Sequence, residues 1–250
     1  MPTGRASLYV GIAVVAAATS DVREAVAWTS EENLTPGFVD SLGRPRVRAG
    51  PSGRIHCIHH SEPDTSNRPH LYYRFWDGST WSGAQDLPGP NHKEPESDMV
   101  VGADEHVHVV GTYRTDGTTN TPYTVYYWEY DGNAWSGPVQ LSAGTGGDSS
   151  SCLAPSIAID RNGDLHVVWE QKGATGGGAD IMYRKRQAGA WQPIRNVTAN
   201  PPGTSYGSEA PDIAADSIGN TVHIVWHDDF LNNGFPVSYT HLTLQTIYSV

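Results

Sequence analysis

Along most of this chain the apolar positions fall in short runs cut by Gly, Pro, Asn and Asp. The clearest stretch is 154–198, which reads APSIAID, RNG, DLHVVWEQ, a Gly-rich loop, DIMYRKR, QAG and AWQPIRNVT. That is four strand-like runs separated by turn signals. In the second run Leu165, Val167 and Trp169 point one way, and His166 and Val168 the other. Both faces are mostly apolar, as expected of a strand covered on both sides. Beyond the N-terminus no window long enough for a helix keeps a helical period free of Gly and Pro. The pattern therefore predicts an all-β chain.

The unit recurs, and the copies align without gaps inside their strands. The second strand carries a histidine each time: His56, His108, His166 and His223, separated by 52, 58 and 57 residues. The third carries an aliphatic residue two before a tyrosine: Leu71/Tyr73, Val125/Tyr127 and Ile181/Tyr183. Eight residues after each tyrosine comes Trp81, Trp135 or Trp191, beyond a turn at Asp77-Gly78, Asp131-Gly132 or Ala188-Gly189. Such turns suit a tight hairpin with positive φ. Four strands per period define the blade of a β-propeller, although the period exceeds the roughly 40–45 residues of WD40 blades. Blades are expected over Pro45–Pro88, Ser97–Ser142 and Ala154–Thr198, with a fourth beginning at Ala210. Trp28–Thr35 aligns with the fourth strands and reads as a closing strand. The expected fold is thus an incomplete ring of about three and a half four-stranded antiparallel blades plus that strand. The parent ring would be six- or seven-bladed.

Both ends depart from the repeat. An apolar run, Leu8–Ala18, follows Arg5, and Ala25-Val26-Ala27 offers a small-x-small cleavage site. The run is too short to span a bilayer and suits a secretory signal over residues 1–27. The mature chain is then expected to be secreted, periplasmic or on the cell surface, with no membrane span. From Val237 no Asp-Gly follows and Ile247 stands where a tryptophan belongs. VSYTHL also reads like one frame of a sequencing-adaptor end, so residues 237–250 are expected to be a non-native tail after a 28–236 propeller. The net charge of −11 argues against nucleic acid or an anionic membrane as partner. Cys57 takes the apolar slot of Val109 and Val167, and Cys152 lies two blades on, so the two are expected to stay unpaired.

In a propeller the strand two-to-three and strand four-to-one loops share one face. Here they are the long ones, and long loops on a rigid scaffold carry function. The recurring histidines, tyrosines and tryptophans are assigned to packing and hydrogen bonding, with no metal or cofactor expected. Asp160–Asp164 has the spacing of a calcium loop but stands where other copies have plain turns. Residues that break the repeat at the mouth of the loop face are the ligand candidates: His59, His60, Arg114, Glu170, His227 and Asp228. Such a set suits sugar binding or acid–base work.

The unit P-x-I-A-x-D-x-x-G-x-x-H-V-V-W, with its Tyr-to-Trp hairpin, is carried by Pro155–Trp169 and Pro211–Trp226. It resembles the bacterial secreted propellers of the sialidase-like superfamily, the Asp-box (BNR) repeat proteins. Their box reads S-x-D-x-G-x-x-W, against Asp77-Gly78-Ser79-Thr80-Trp81 here, so the box is degenerate. Gly43-Arg44-Pro45-Arg46 does not match the first arginine motif of true sialidases. The resemblance implies a secreted module that binds a carbohydrate or extracellular protein through its long-loop face without catalysis. The alternative it implies is a glycoside hydrolase or polysaccharide lyase.

An open arc exposes large apolar residues at its edge, and such faces drive aggregation. The chain should therefore express poorly and aggregate. A soluble monomer that unfolds cooperatively would contradict that expectation.

Overall fold

The computed structural model describes residues 9–10, 30–38, 40–62, 70–88, 96–113, 122–142, 151–173, 178–200, 207–216, 221–228 and 237–243. No helix occurs among them. Two short strands, β1 (Tyr9–Val10) and β2 (Glu32–Asn33), form a ribbon. Blade I holds β3 (Asp40–Ala49), β4 (Ile55–Glu62), β5 (His70–Trp76) and β6 (Gln85–Asp86). Blade II holds β7 (Ser97–Val101), β8 (Val107–Tyr113), β9 (Thr124–Tyr130) and β10 (Trp135–Gln140). In blade III, β11 (Cys152–Ile159), β12 (Leu165–Lys172) and β13 (Ala179–Gln187) lead to a split fourth strand, β14 (Ala190–Trp191) and β15 (Arg195–Asn196). Blade IV has β16 (Ser208–Ala215), β17 (Thr221–Asp228) and β18 (Val237–Thr243). Each strand pairs antiparallel with the next, so the chain is an incomplete β-propeller of meander sheets.

The turn chemistry behaves as the residues demand. Gly78, Gly132 and Gly189 take φ of 102°, 91° and 81°. The Asp77 carboxylate accepts the Ser79 and Thr80 amides at 2.8 Å each, and Asp131 accepts those of Asn133 and Ala134 at 2.9 and 2.8 Å. These bonds, Thr80's first, hold the Asp77 carboxyl down at about 2. Asp160 closes its own hairpin in the same way, accepting the Asn162 and Asp164 amides at 2.8 and 3.0 Å.

The inner sheets are apolar on both faces, and each side that meets a neighbouring blade buries against it. Between blades I and II lie Ile58, Leu71, Tyr73, Met99, Val109 and Trp128. Between II and III lie Val110, Leu141, Ile157, Leu165, Val167 and Trp169. Val168, on the opposite face of the same strand, joins Ile181, Ile213, Val222, Ile224 and Trp226 between III and IV. The alternation expected for β12 and the docking expected of β16 and β17 are both present. Aromatic edges lock the junctions: Tyr73 meets Trp135 at 5.2 Å and Tyr127 meets Trp191 at 5.1 Å, both T-shaped.

The recurring histidines serve their own sheets. Nδ1 of His56, His108, His166 and His223 lies 2.7–2.8 Å from the hydroxyl of Tyr73, Tyr127, Tyr183 and Tyr239. The pairing is diagonal across strands two and three, since Ile58 and Val168 are the register mates of Tyr73 and Tyr183. Nε2 of His166 faces Asp160 at 3.3 Å, and that of His56 faces Glu105 at 3.4 Å. Burial drives the His108 imidazole down to about 4. Both cysteines are free and buried.

Both ends of the described chain pair as strands. Glu32–Asn33 pairs with Tyr9–Val10, and Leu34 is buried. Leu34 aligns with Leu87 and Leu141, which are buried at the first two blade junctions, and the nearby Phe38 ring meets Tyr72 at 4.7 Å. At the other end β18 follows β17 from Val237 to Thr243, because its alternation keeps Tyr239 in the tyrosine register. Its far face is open, with Val237 67% and Tyr239 56% exposed, and Val47 is 52% exposed on blade I.

Two measurements follow. Tyr183→Phe strips a buried histidine of its partner and should cost about 1–3 kcal/mol in urea denaturation, while Tyr239→Phe, at an exposed tyrosine, should cost little. Equal losses would contradict the assigned burial. The His108 value sits below the roughly 6.5 of an unfolded chain, as does His60 at about 3. Their share of stability is complete above about pH 6.5 and falls as the unfolded state takes up protons toward the folded values. The urea midpoint should drop from about pH 7.5 to about pH 5; a flat midpoint would contradict this.

Candidate ligand site in the axial pocket

Each of the described residues singled out in the sequence has its own surroundings. His59 and His60 are adjacent on β4 and both buried. Nδ1 of His59 lies 2.9 Å from the Ser61 hydroxyl, and Nε2 of His60 lies 2.9 Å from that of Ser97. Burial, with the Arg74 charge, pushes His59 to about 4; burial, then the charges of His59, Arg44 and Arg46, push His60 to about 3. Burial thus favours the neutral form of both imidazoles. Glu170 is buried on β12, where its Oε2 accepts the Ala210 amide at 3.2 Å, and burial pushes its carboxyl up. His227 is exposed on β17, and Asp228 beside it lies 3.4 Å from the Trp226 indole nitrogen. Arg114 and most of the long loops lie outside the described residues.

A pocket of about 600 Å³ opens elsewhere, where the first strands of all four blades converge. Blade I supplies Arg44, Arg46 and Arg48, and blade II supplies Glu96, Ser97 and Asp98. Ala154, Pro155 and Ser156 come from blade III, and Ala210, Pro211 and Asp212 from blade IV. Strand one of each blade starts here, so the pocket sits on the axis at the long-loop end. Aligning the hairpins that follow each first strand puts Arg46, Asp98, Ser156 and Asp212 at one equivalent position.

Local backbone features aim these side chains. Register shifts fall just before Arg46, Ser156 and Asp212. Such bulges re-aim side chains and favour sites of this kind. At each, the residue preceding proline is left-handed: Arg44 at φ 52°, Ala154 at 46° and Ala210 at 50°. A following proline disfavours the right-handed helical region. The freed Ala154 and Ala210 amides donate to Glu96 and Glu170, fastening each bulge to the blade before it.

The polar groups form one chain around the axis. Arg44 meets Glu96 at 2.9 Å. Asp98 Oδ1 takes Arg48 at 2.8 Å, with Arg46 Nε at 3.8 Å. Asp98 Oδ2 lies 3.2 Å from both the Ile157 amide and the Ser156 hydroxyl. That hydroxyl also lies 2.8 Å from Asp212 Oδ1, which accepts the Ile213 amide at 2.9 Å. Two carboxylates thus flank one hydroxyl, and their nearest oxygens are no more than about 6 Å apart. Carboxylates working across a glycosidic bond stand about 5–9.5 Å apart. Among the described residues no group of three or more His, Cys, Asp or Glu is arranged to hold a metal ion.

No protein-family model matches the chain, and no curated protein matches it. Solved structures do. An α-L-arabinanase of Penicillium chrysogenum complexed with arabinobiose aligns with a TM-score of 0.59 at 11% identity, over 80% of this chain and 62% of that one. The GH93 α-L-arabinofuranosidase of Fusarium graminearum, also with arabinobiose, aligns at 0.61 and 12%, over 84% and 65%. An ulvan lyase of polysaccharide lyase family PL25 aligns at 0.53 and 13%, over 84% and 57%. The chain spans about six-tenths of the length of these structures. At such identities the likeness is one of fold, and it agrees with an incomplete propeller.

Proposed function

We propose that the chain is part of a carbohydrate-active propeller of the glycoside hydrolase or polysaccharide lyase kind, with the sugar held in the axial pocket. One observation carries the reading: Asp98 and Asp212 face each other across the Ser156 hydroxyl, beside three arginines, in a cavity open at the long-loop end. A ligand hydroxyl replacing Ser156 between the two carboxylates would place a sugar ring against Arg46 and Arg48. Asp98, fastened to Arg48 and the Ile157 amide, suits the role of a fixed carboxylate that orients the sugar. Asp212, with fewer bonds, suits proton transfer. The hydrolases and lyase that share the fold support this kind of activity, by analogy. The hairpin-capping Asp77 and Asp131 support the sialidase-like relation, and with it secretion.

A second reading is a non-catalytic module that binds a glycan or an extracellular protein. It is favoured by the bonds already made by the inner oxygens of Asp98 and Asp212.

The test is incubation of the full chain with arabinan, polygalacturonate and sulfated glycans, following new reducing ends and unsaturated uronates. Turnover is expected, falling about 100-fold or more in Asp98→Asn and Asp212→Asn with binding retained. Binding without turnover would select the second reading. No binding to any glycan would overturn both.

A further inference from the structure

Resting on the axial pocket as the carbohydrate site, we infer that its ligand is an acidic polysaccharide and that Arg46 is the residue that reads the charge. The pocket is formally balanced, with Arg44, Arg46 and Arg48 against Glu96, Asp98 and Asp212. Its hydrogen-bonding capacity is not. The Glu96 carboxylate is spent on Arg44 and the Ala154 amide. Asp98 is spent on Arg48, the Ile157 amide and Ser156. Asp212 Oδ1 is spent on Ser156 and the Ile213 amide. The acids therefore work as acceptors that bind one blade to the next.

The arginines face the opening. Their side chains are 52%, 46% and 41% exposed for Arg44, Arg46 and Arg48, against 32% for Glu96 and 11% for Asp98. Arg48 is held by Asp98 and by the Val47 carbonyl at 2.9 Å. Arg46 is the loosest of the three: its tie is the 3.8 Å ion pair, and among the described residues it makes no hydrogen bond. A guanidinium has five N–H donors in a planar fork that matches a carboxylate or sulfate. The pocket thus offers surplus donors and few free acceptors. A neutral sugar, which needs acceptors for its hydroxyls, uses this lining poorly. Uronate carboxylates and sulfate esters use it well.

The chain as a whole is acidic, at −11. Long-range attraction cannot bring a polyanion to it, so selectivity must come from contact at the arginines. That separates a built site from general charge attraction.

The experiment measures affinity of the full chain for polygalacturonate, dextran sulfate and neutral linear arabinan by calorimetry. At least one acidic polymer should bind about tenfold or more tightly than arabinan, and Arg46→Ala should remove that margin, weakening the acidic polymer far more than arabinan. Arg46→Lys should recover only part of it, since the planar fork is lost. Polygalacturonate preferred identifies carboxylate as the group read; dextran sulfate preferred identifies sulfate. Because Arg46 is half exposed and lightly tied, its variants should keep the urea midpoint, which checks folding. Arabinan bound as tightly as either acidic polymer would overturn the acidic ligand while leaving a carbohydrate site in place. Equal losses on all three polymers in Arg46→Ala would overturn the role of Arg46. No binding to any of them would remove the carbohydrate reading itself.

Discussion

The inner sheets of this chain are apolar on both faces, and that single constraint organises the rest. Val167 and Val168 are neighbours on one strand, yet each is fully buried, in different clusters on opposite sides. A sheet of that kind is stable only between two others. Burial of apolar area at roughly 25 cal/mol per Å² supplies the drive, and the T-shaped Tyr–Trp contacts set how each blade meets the next. Stacking blades in sequence order then fans the sheets about an axis, with the first strand of each innermost. The outward faces at the two ends have no such cover, which is why Val47, Val225, Val237 and Tyr239 stand exposed.

At the axis the same constraint produces a polar ring. Four first strands converge, and the side chains that point inward there have no sheet to pack on. They are Arg46, Asp98, Ser156 and Asp212, joined across three blade junctions by one ion pair and two hydrogen bonds. Glu96 and Asp98 each pair with an arginine while holding a backbone amide of the next blade, and Asp212 shares Ser156 while holding the Ile213 amide of its own strand. The bulges before proline are part of the same device, since they turn Ala154 and Ala210 amides toward Glu96 and Glu170. The site and the scaffold are thus made by the same bonds.

The blades were legible in the sequence because the packing that makes them repeats. Histidine, tyrosine and tryptophan recur in register, and each proves to hold a strand pair or a blade junction. The site was not legible for the opposite reason. Its ring position is Arg, Asp, Ser and Asp in turn, so nothing recurs to align. The candidates His59, His60 and Glu170 break the repeat too, but they do so in buried places, where His60 meets Ser97 and Glu170 accepts the Ala210 amide. His60 came nearest, standing directly behind Ser97 in the pocket wall. One signal was available: Arg44, Arg46 and Arg48 alternate along a strand and so share a face. The length of β18 was not legible because the missing Asp-Gly and tryptophan outweighed Tyr239, whose register matches the pairing of β18 with β17.

The account rests on placing the ligand at the axis rather than in the loops between strands two and three. Amide hydrogen exchange of the full chain, with and without a bound oligogalacturonate, tests that placement directly. Added protection is expected at the starts of the four first strands, around residues 44–48, 96–98, 154–157 and 210–213. Protection gathered instead around His59, Glu170 and His227, with those first strands unchanged, would contradict it.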